Sequence, residues 1–204
     1  MVKKVLLLAV LALALPMAAF ANSGVDFTNS GGTLSGSSSG LSLTGSTLVA
    51  VNGLYGGGLI VGTNLGSFSF STGALTSGSL TAGGTFAAGG SFVVTGNGTN
   101  GVPNGVIFSG TFSGPGTWAR IDLANGTHNY TFTGVVSGAL GNGYQTDGVT
   151  VQLTINTGKG FFNGQTTISS GDTNIVVPEP GTLSLFGTGL IGLAGVIRRK
   201  LSLA

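Results

Sequence analysis

No cysteine occurs in the 204 residues, and histidine occurs once, as His128. The first absence removes disulfide staples, thiolate zinc sites and a cysteine nucleophile. The second removes any two-histidine metal centre within one chain. Charge is scarce at 6% of residues, and mean hydropathy is +0.49, the opposite of a charge-rich disordered chain. Glycine is abundant, 40 residues, but without the every-third-residue period of a collagen helix. No segment with helical periodicity is long enough to cross between parallel strands, so βαβ architectures are not expected.

The few charges are unevenly placed. Lys3 and Lys4 open the chain, and Arg198, Arg199 and Lys200 nearly close it. From Asn22 to Gly181, two cations (Arg120, Lys159) face five anions (Asp26, Asp122, Asp147, Asp172, Glu179), a net of −3. The overall +2 therefore belongs to the termini. Nucleic-acid binding needs clustered cations to neutralise phosphates, and two widely separated ones form no such patch.

What is present is a β-rich vocabulary. Gly, Ser, Thr and Asn fill 99 positions, and between them lie short runs rich in Thr, Val, Ile and Phe. These are Thr47 to Val51, Gly66 to Phe70, Thr85 to Val94, Val106 to Phe112, Tyr130 to Val136, Val149 to Ile155 and Thr166 to Val176. Such residues fit a pleated surface, and the spacing predicts seven to ten strands. In Ser67 to Ser71 and Val149 to Ile155 every second residue is apolar, so one face is buried and the other wet. Asn97-Gly98, Asn125-Gly126, Asn142-Gly143 and Asp147-Gly148 supply the positive φ that tight hairpin turns need. The fold class is all-β, an antiparallel β-sandwich or flattened barrel, with the phenylalanines and Trp118 as the bulk of its core. Ser30 to Gly45, poorest in apolar residues, reads as a flexible lead-in or a weak edge strand. Phe108 to Gly114 and Phe132 to Gly138 share a seven-residue pattern; two copies mark two similar strands, with glycine where backbones approach, rather than a repeat array.

Both ends carry targeting features. Lys3 and Lys4, the apolar run Val5 to Leu15, Pro16 and the small residues Ala19 and Ala21 form a secretory signal, with cleavage by signal peptidase expected after Ala21. Eleven apolar residues are too few to span a bilayer stably. The predicted organisation is a signal peptide at 1–21, a β domain at 22–177 and a C-terminal signal at 178–204.

In that tail Val177-Pro178-Glu179-Pro180-Gly181 precedes sixteen uncharged residues, Thr182 to Ile197, and then Arg198-Arg199-Lys200. Two prolines keep the tripeptide extended and out of the following helix. At ~1.5 Å per residue the apolar run reaches ~24 Å, short of a ~30 Å hydrocarbon core, so the anchor is marginal. The cations after it favour a cytoplasmic C-terminus. Gly187-Thr188-Gly189-Leu190-Ile191-Gly192 matches a dinucleotide-binding pattern, but it lacks the βαβ unit that gives the pattern meaning; glycines in a membrane helix instead allow close packing.

The tripeptide, the single hydrophobic helix and the basic end, in that order, resemble the PEP-CTERM sorting signal of exosortase substrates in Gram-negative bacteria. The resemblance covers about residues 177 to 200. It implies that Pro178, Glu179 and Pro180 are recognised by an exosortase, a membrane cysteine enzyme that cuts at or near the tripeptide. It further implies transient residence in the inner membrane, transfer to the cell surface or exterior, and a link with exopolysaccharide and biofilm matrix.

The body offers little chemistry. His128 is expected at a turn, and no nucleophile-elbow motif presents any serine to it. Asp122, Asp147 and Asp172 are conceivable glycosidase carboxylates, which would have to sit about 5 to 10 Å apart; calcium ligation by aspartates lacks any recognisable loop spacing. Asn97-Gly98-Thr99 and Asn125-Gly126-Thr127 fit the glycosylation sequon, though turn formation explains them. No catalytic residue, metal or cofactor is expected. The leading expectation is an exported structural or matrix protein. Two others stand beside it: a carbohydrate-binding or adhesive module that would depend on Trp118 or Tyr130, and a β protein anchored permanently in the membrane.

Overall fold

The structure, a computed structural model, describes residues 24–168 and 170–176. The signal segment with Ala19 and Ala21 lies outside the described residues. So does the tail with Pro178, Glu179, Pro180, its expected helix, Arg198, Arg199 and Lys200.

Thirteen strands form among the described residues: β1 Gly24–Ser30, β2 Thr33–Ser37, β3 Gly40–Asn52, β4 Ile60–Ser71, β5 Leu75–Ser79, β6 Gly83–Phe86, β7 Gly89–Asn97, β8 Asn104–Phe112, β9 Gly116–Asp122, β10 His128–Leu140, β11 Gln145–Asn156, β12 Gln165–Thr167 and β13 Ser170–Val176. Every pairing is antiparallel. Eight strands close on themselves in the order β1-β3-β4-β7-β8-β10-β11-β13 and back to β1. Of the two expected architectures the barrel is therefore the one formed.

Alternation explains which face each strand turns inward. In β11, Val149, Val151, Leu153 and Ile155 are buried while Thr150, Gln152 and Thr154 are exposed. In β4, Phe68 and Phe70 point in between serines. The interior is a phenylalanine lattice: Phe70 stacks on Phe132 at 5.6 Å, and Phe68 meets Phe92 edge-on at 4.9 Å. Each such side chain contributes about 1.5–3 kcal/mol by burial, and each favourable ring pair adds up to ~1.5 kcal/mol. An apolar inside with a hydroxyl-rich outside is the reverse of an outer-membrane barrel, whose apolar face looks outward.

The two ends of the barrel differ. At one, the terminal rim, β1 begins and β13 ends, with Gly24 opposite Val176. Three loops, 53–59, 98–103 and 141–144, complete that rim. At the other, the sheet forks. β10 gives His128–Thr133 to β9 and Val136–Leu140 to β8. From β9 the sheet continues to β6 and β5. β3 likewise gives Gly40–Thr44 to β2, which pairs with β12. Phe162 fills the space between the two branches: it lies edge-on to Trp118 at 5.3 Å, and a Cβ placed on Gly36 of β2 would meet its ring at 3.0 Å and Leu80 at 3.2 Å.

Several expectations need correction. Ser30 to Gly45 is neither flexible nor an edge; it forms β2 and the start of β3, and Leu34, Leu41 and Leu43 are fully buried. Its apolar residues are few, but each sits at an inward position beneath the fork. Thr85 to Val94 is two strands, β6 and β7, separated at Ala87-Ala88. Gly98, Gly126 and Gly143 take positive φ in loops as expected, but Asp147-Gly148 is no hairpin turn. Gly148, at φ 82, lies within β11, where Asp147 and Gly148 together oppose Ser137 as a bulge. The two copies of the seven-residue pattern fall on the neighbouring strands β8 and β10. There Gly110 and Gly138 are direct partners, and a Cβ on Gly138 would lie 2.2 Å from the Ser109 carbonyl oxygen.

Candidate functional site

The chain leaves the barrel at Val176, one residue before the segment that carries the tripeptide. The sorting residues thus follow directly from the terminal rim. The titratable residues of the body gather mainly at the opposite, forked end.

There Asp122 closes β9 and His128 opens β10, directly opposed across the Leu123–Thr127 loop. The Asn125 side-chain Oδ1 accepts from both the Thr127 amide and the Thr127 hydroxyl, which shapes this turn. Asp122 then takes two partners: the His128 Nδ1 at 2.8 Å and the Arg120 Nε at 2.9 Å, with Arg120 Nη2 on its second oxygen at 3.1 Å. The hydrogen bond from His128, followed by that from Arg120, holds the Asp122 carboxyl below the usual carboxylate range. Arg120 Nη1 donates to the Thr81 carbonyl at 3.3 Å, so each of its three nitrogens has an acceptor inside the cluster. The His128 ring stacks on Phe161 at 4.4 Å, and the Arg120 guanidinium sits 5.2 Å from the same ring.

His128 is thus the first residue of a strand rather than a free turn residue. Its backbone accepts from the Thr157 amide and donates to the Gly158 carbonyl. The His–Asp arrangement resembles half of a hydrolytic triad, but among the described residues no hydroxyl hydrogen-bonds the other ring nitrogen. What the cluster does physically is clasp the 157–164 loop onto β9 and β10, with Phe162 beneath it. Tyr130 completes the clasp: its hydroxyl donates to the Thr81 carbonyl at 2.7 Å and accepts the Phe162 amide at 3.2 Å. This pairing had a signal in the sequence, since residues 122 and 128 stand three positions either side of Asn125.

The three aspartates considered as a glycosidase pair are not brought together. Asp172 of β13 aligns through Gln152 and Thr133 with Thr117, three strands away and five residues short of Asp122. Asp147 lies on the β11 bulge. The close carboxylates are instead Asp172 and Asp26 of β1. Burial, then the Asp172 charge, pushes the Asp26 carboxyl above its usual value. Thr28 donates to Asp172 at 3.3 Å. Among the described residues no three His, Cys, Asp or Glu side chains group as a metal site.

Trp118 and Tyr130 are 1% and 0% exposed, and stack on each other at 5.1 Å. The indole N–H donates to the Leu80 carbonyl at 2.9 Å. Both are core residues with satisfied polar tips, so neither offers a face to a sugar.

Residues 176–200 match the family model of the PEP-CTERM protein-sorting motif. The C-terminal segment therefore carries the sorting tag of an exosortase substrate, and the motif implies a membrane-anchored sorting step leading to the cell surface. Among curated proteins and solved structures, none matches the chain.

Proposed function

We propose that this is an exported, non-enzymatic β-barrel protein, delivered by its N-terminal signal and cut by signal peptidase after Ala21. Residues 182–197 then hold it in the inner membrane, with Arg198, Arg199 and Lys200 on the cytoplasmic side. An exosortase reads Pro178, Glu179 and Pro180, removes the tail and passes the barrel to the cell surface or to an exopolysaccharide-containing biofilm matrix, where its role is structural. The observation that carries this reading is the sorting motif at 176–200. It is supported by a barrel whose interior is filled by side chains and whose Arg120–Asp122–His128 cluster is paired within itself.

The test is intact mass and terminal peptide mapping of the protein from its native host, wild type beside Glu179→Ala. A wild-type product that starts at Asn22 and ends near Pro180, with the variant retaining its tail in the membrane, is the expected result. A wild-type product that still carries Arg198 to Lys200 would overturn the sorting route and leave a permanently anchored barrel.

A further inference from the structure

Of the seven exposed large apolar side chains among the described residues, four collect at one end, and Val135 stands alone on the wall of β10. Tyr55 is 45% exposed, Leu59 66%, Val61 65% and Val106 52%, and all four belong to the terminal rim. The Tyr55 side chain reaches the same edge of the rim as β8: a methyl placed on Gly141 would lie 2.8 Å from the Tyr55 hydroxyl and 2.5 Å from the backbone carbonyl oxygen of Val106. Leu59 and Val61 flank Ile60, which pairs with Val51 at the mouth of the barrel. The three loops of the rim (53–59, 98–103 and 141–144) contain no charged residue. At the forked end the exposed Ile121 and Phe161 are instead interleaved with Arg120, Asp122 and Lys159. Grouped, uncharged apolar exposure of this kind marks a contact surface.

We infer that the terminal rim docks on the lipid bilayer while the tail is still attached. This rests on the membrane-anchored step proposed above. Five residues, 177–181, separate Val176 from the apolar run that begins at Thr182, so an extended link spans at most about 20 Å. A barrel tethered that closely presents its nearest end to the interface, and here that end carries Tyr, Leu and Val without a cation. Tyrosine and aliphatic side chains partition into the interfacial zone without needing anionic lipid. Four side chains alone bind weakly, but a short tether raises their effective concentration to the millimolar range. Docking would hold the tripeptide at the membrane surface, where a membrane enzyme acts. Cleavage removes the tether, and the barrel then leaves.

The cysteine-free chain permits a direct test. Full-length protein with Leu59→Cys or Lys159→Cys, each labelled with an environment-sensitive fluorophore, is reconstituted in phosphatidylcholine vesicles carrying nitroxide headgroup lipids. Near-ultraviolet circular dichroism of Trp118 confirms that each variant is folded. The label at 59 should be blue-shifted and quenched about twofold or more relative to the label at 159, as interfacial burial requires. Equal response at both positions, or none at either, overturns the inference. If the chain resists alkaline carbonate extraction while position 59 stays unquenched, docking fails and the anchor stands. If carbonate strips the chain from the vesicles, the anchor reading fails and docking falls with it. Disulfide-linked dimers of the Leu59→Cys protein without lipid quenching would assign the rim to a second copy instead.

Discussion

The forked end and the terminal rim use the same residue types to opposite effect. At the forked end every large aromatic with a polar tip is buried and paired, as Trp118 and Tyr130 are with backbone carbonyls, and Arg120, Asp122 and His128 outside are joined in one cluster. At the rim Leu54 turns inward while Tyr55, next in sequence, stays exposed at φ 52, with Leu59 and Val61 outside. The lesson is that the forked end is built for stability and the rim is not. Apolar residues beyond what the core can use are concentrated where the chain leaves for its tail.

Substitutions can break or sharpen that contrast. Trp118→Ala should cost about 3–5 kcal/mol, whereas Tyr55→Ala should stay within ~1 kcal/mol; urea denaturation measures both, and equal losses would erase the distinction. Between the ends, Gly138→Ala pushes a methyl against the Ser109 carbonyl and should cost about 1–3 kcal/mol, seen as a lower urea midpoint, because neither strand of the β8–β10 seam can yield. Tyr130→Phe strips the clasp of two hydrogen bonds and should cost about 1–2 kcal/mol, with faster amide exchange at Phe162.

The two aspartate environments predict opposite pH responses. Asp26, on the barrel wall nearer the rim, has a raised pKa, so its ionisation opposes folding: the relative stability it gives is present below 3.8 and lost as pH rises through the raised value. Asp26→Asn should therefore raise stability at pH 7 by less than about 1 kcal/mol after solvent screening, and change little at pH 3. Asp122 has a lowered pKa, so its contribution is present above 3.8 and lost as pH falls through the lowered value. Asp122→Asn should lower the melting temperature slightly at pH 7, and this difference should close in acid. Thermal melts at the two pH values check both signs.

Some of this was legible beforehand. Clean alternation in β4 and β11 announced their buried faces, because a strand repeats every two residues regardless of context. The Asn-Gly pairs marked loops for the same local reason. Three strands went unseen, β1, β5 and β9, and β2 was legible only as one of two readings, a weak edge strand: β2 and β5 each hold one leucine among glycine, serine and threonine, while charged or amide residues interrupt the apolar positions of β1 and β9. Leu41 shares the space beside Gly36 with Phe162 and Leu80, which lie 121 and 39 positions further along the chain, so its burial had no local signal. Asp147-Gly148 looked like a turn because a positive φ serves a bulge as well as a hairpin. For the charged cluster, the spacing of 122 and 128 about Asn125 was readable, but the arrival of Phe161 was not.

What the sequence determined by itself is local: the all-β class, the inward and outward faces of the cleanly alternating strands, the Asn-Gly loops, and the ordered tripeptide, apolar run and basic end that constitute the sorting motif. These depend on periodicity and on linear order, which a chain carries without folding. What only the tertiary structure decided is closure and polarity. The return of β13 to β1 turns a sheet into a barrel, the forking of β10 and β3 doubles one end, and together they leave the uncharged apolar rim on the side from which the tail departs. Those outcomes rest on contacts between residues far apart in sequence, such as Gly24 with Val176, whose pairing no local pattern encodes.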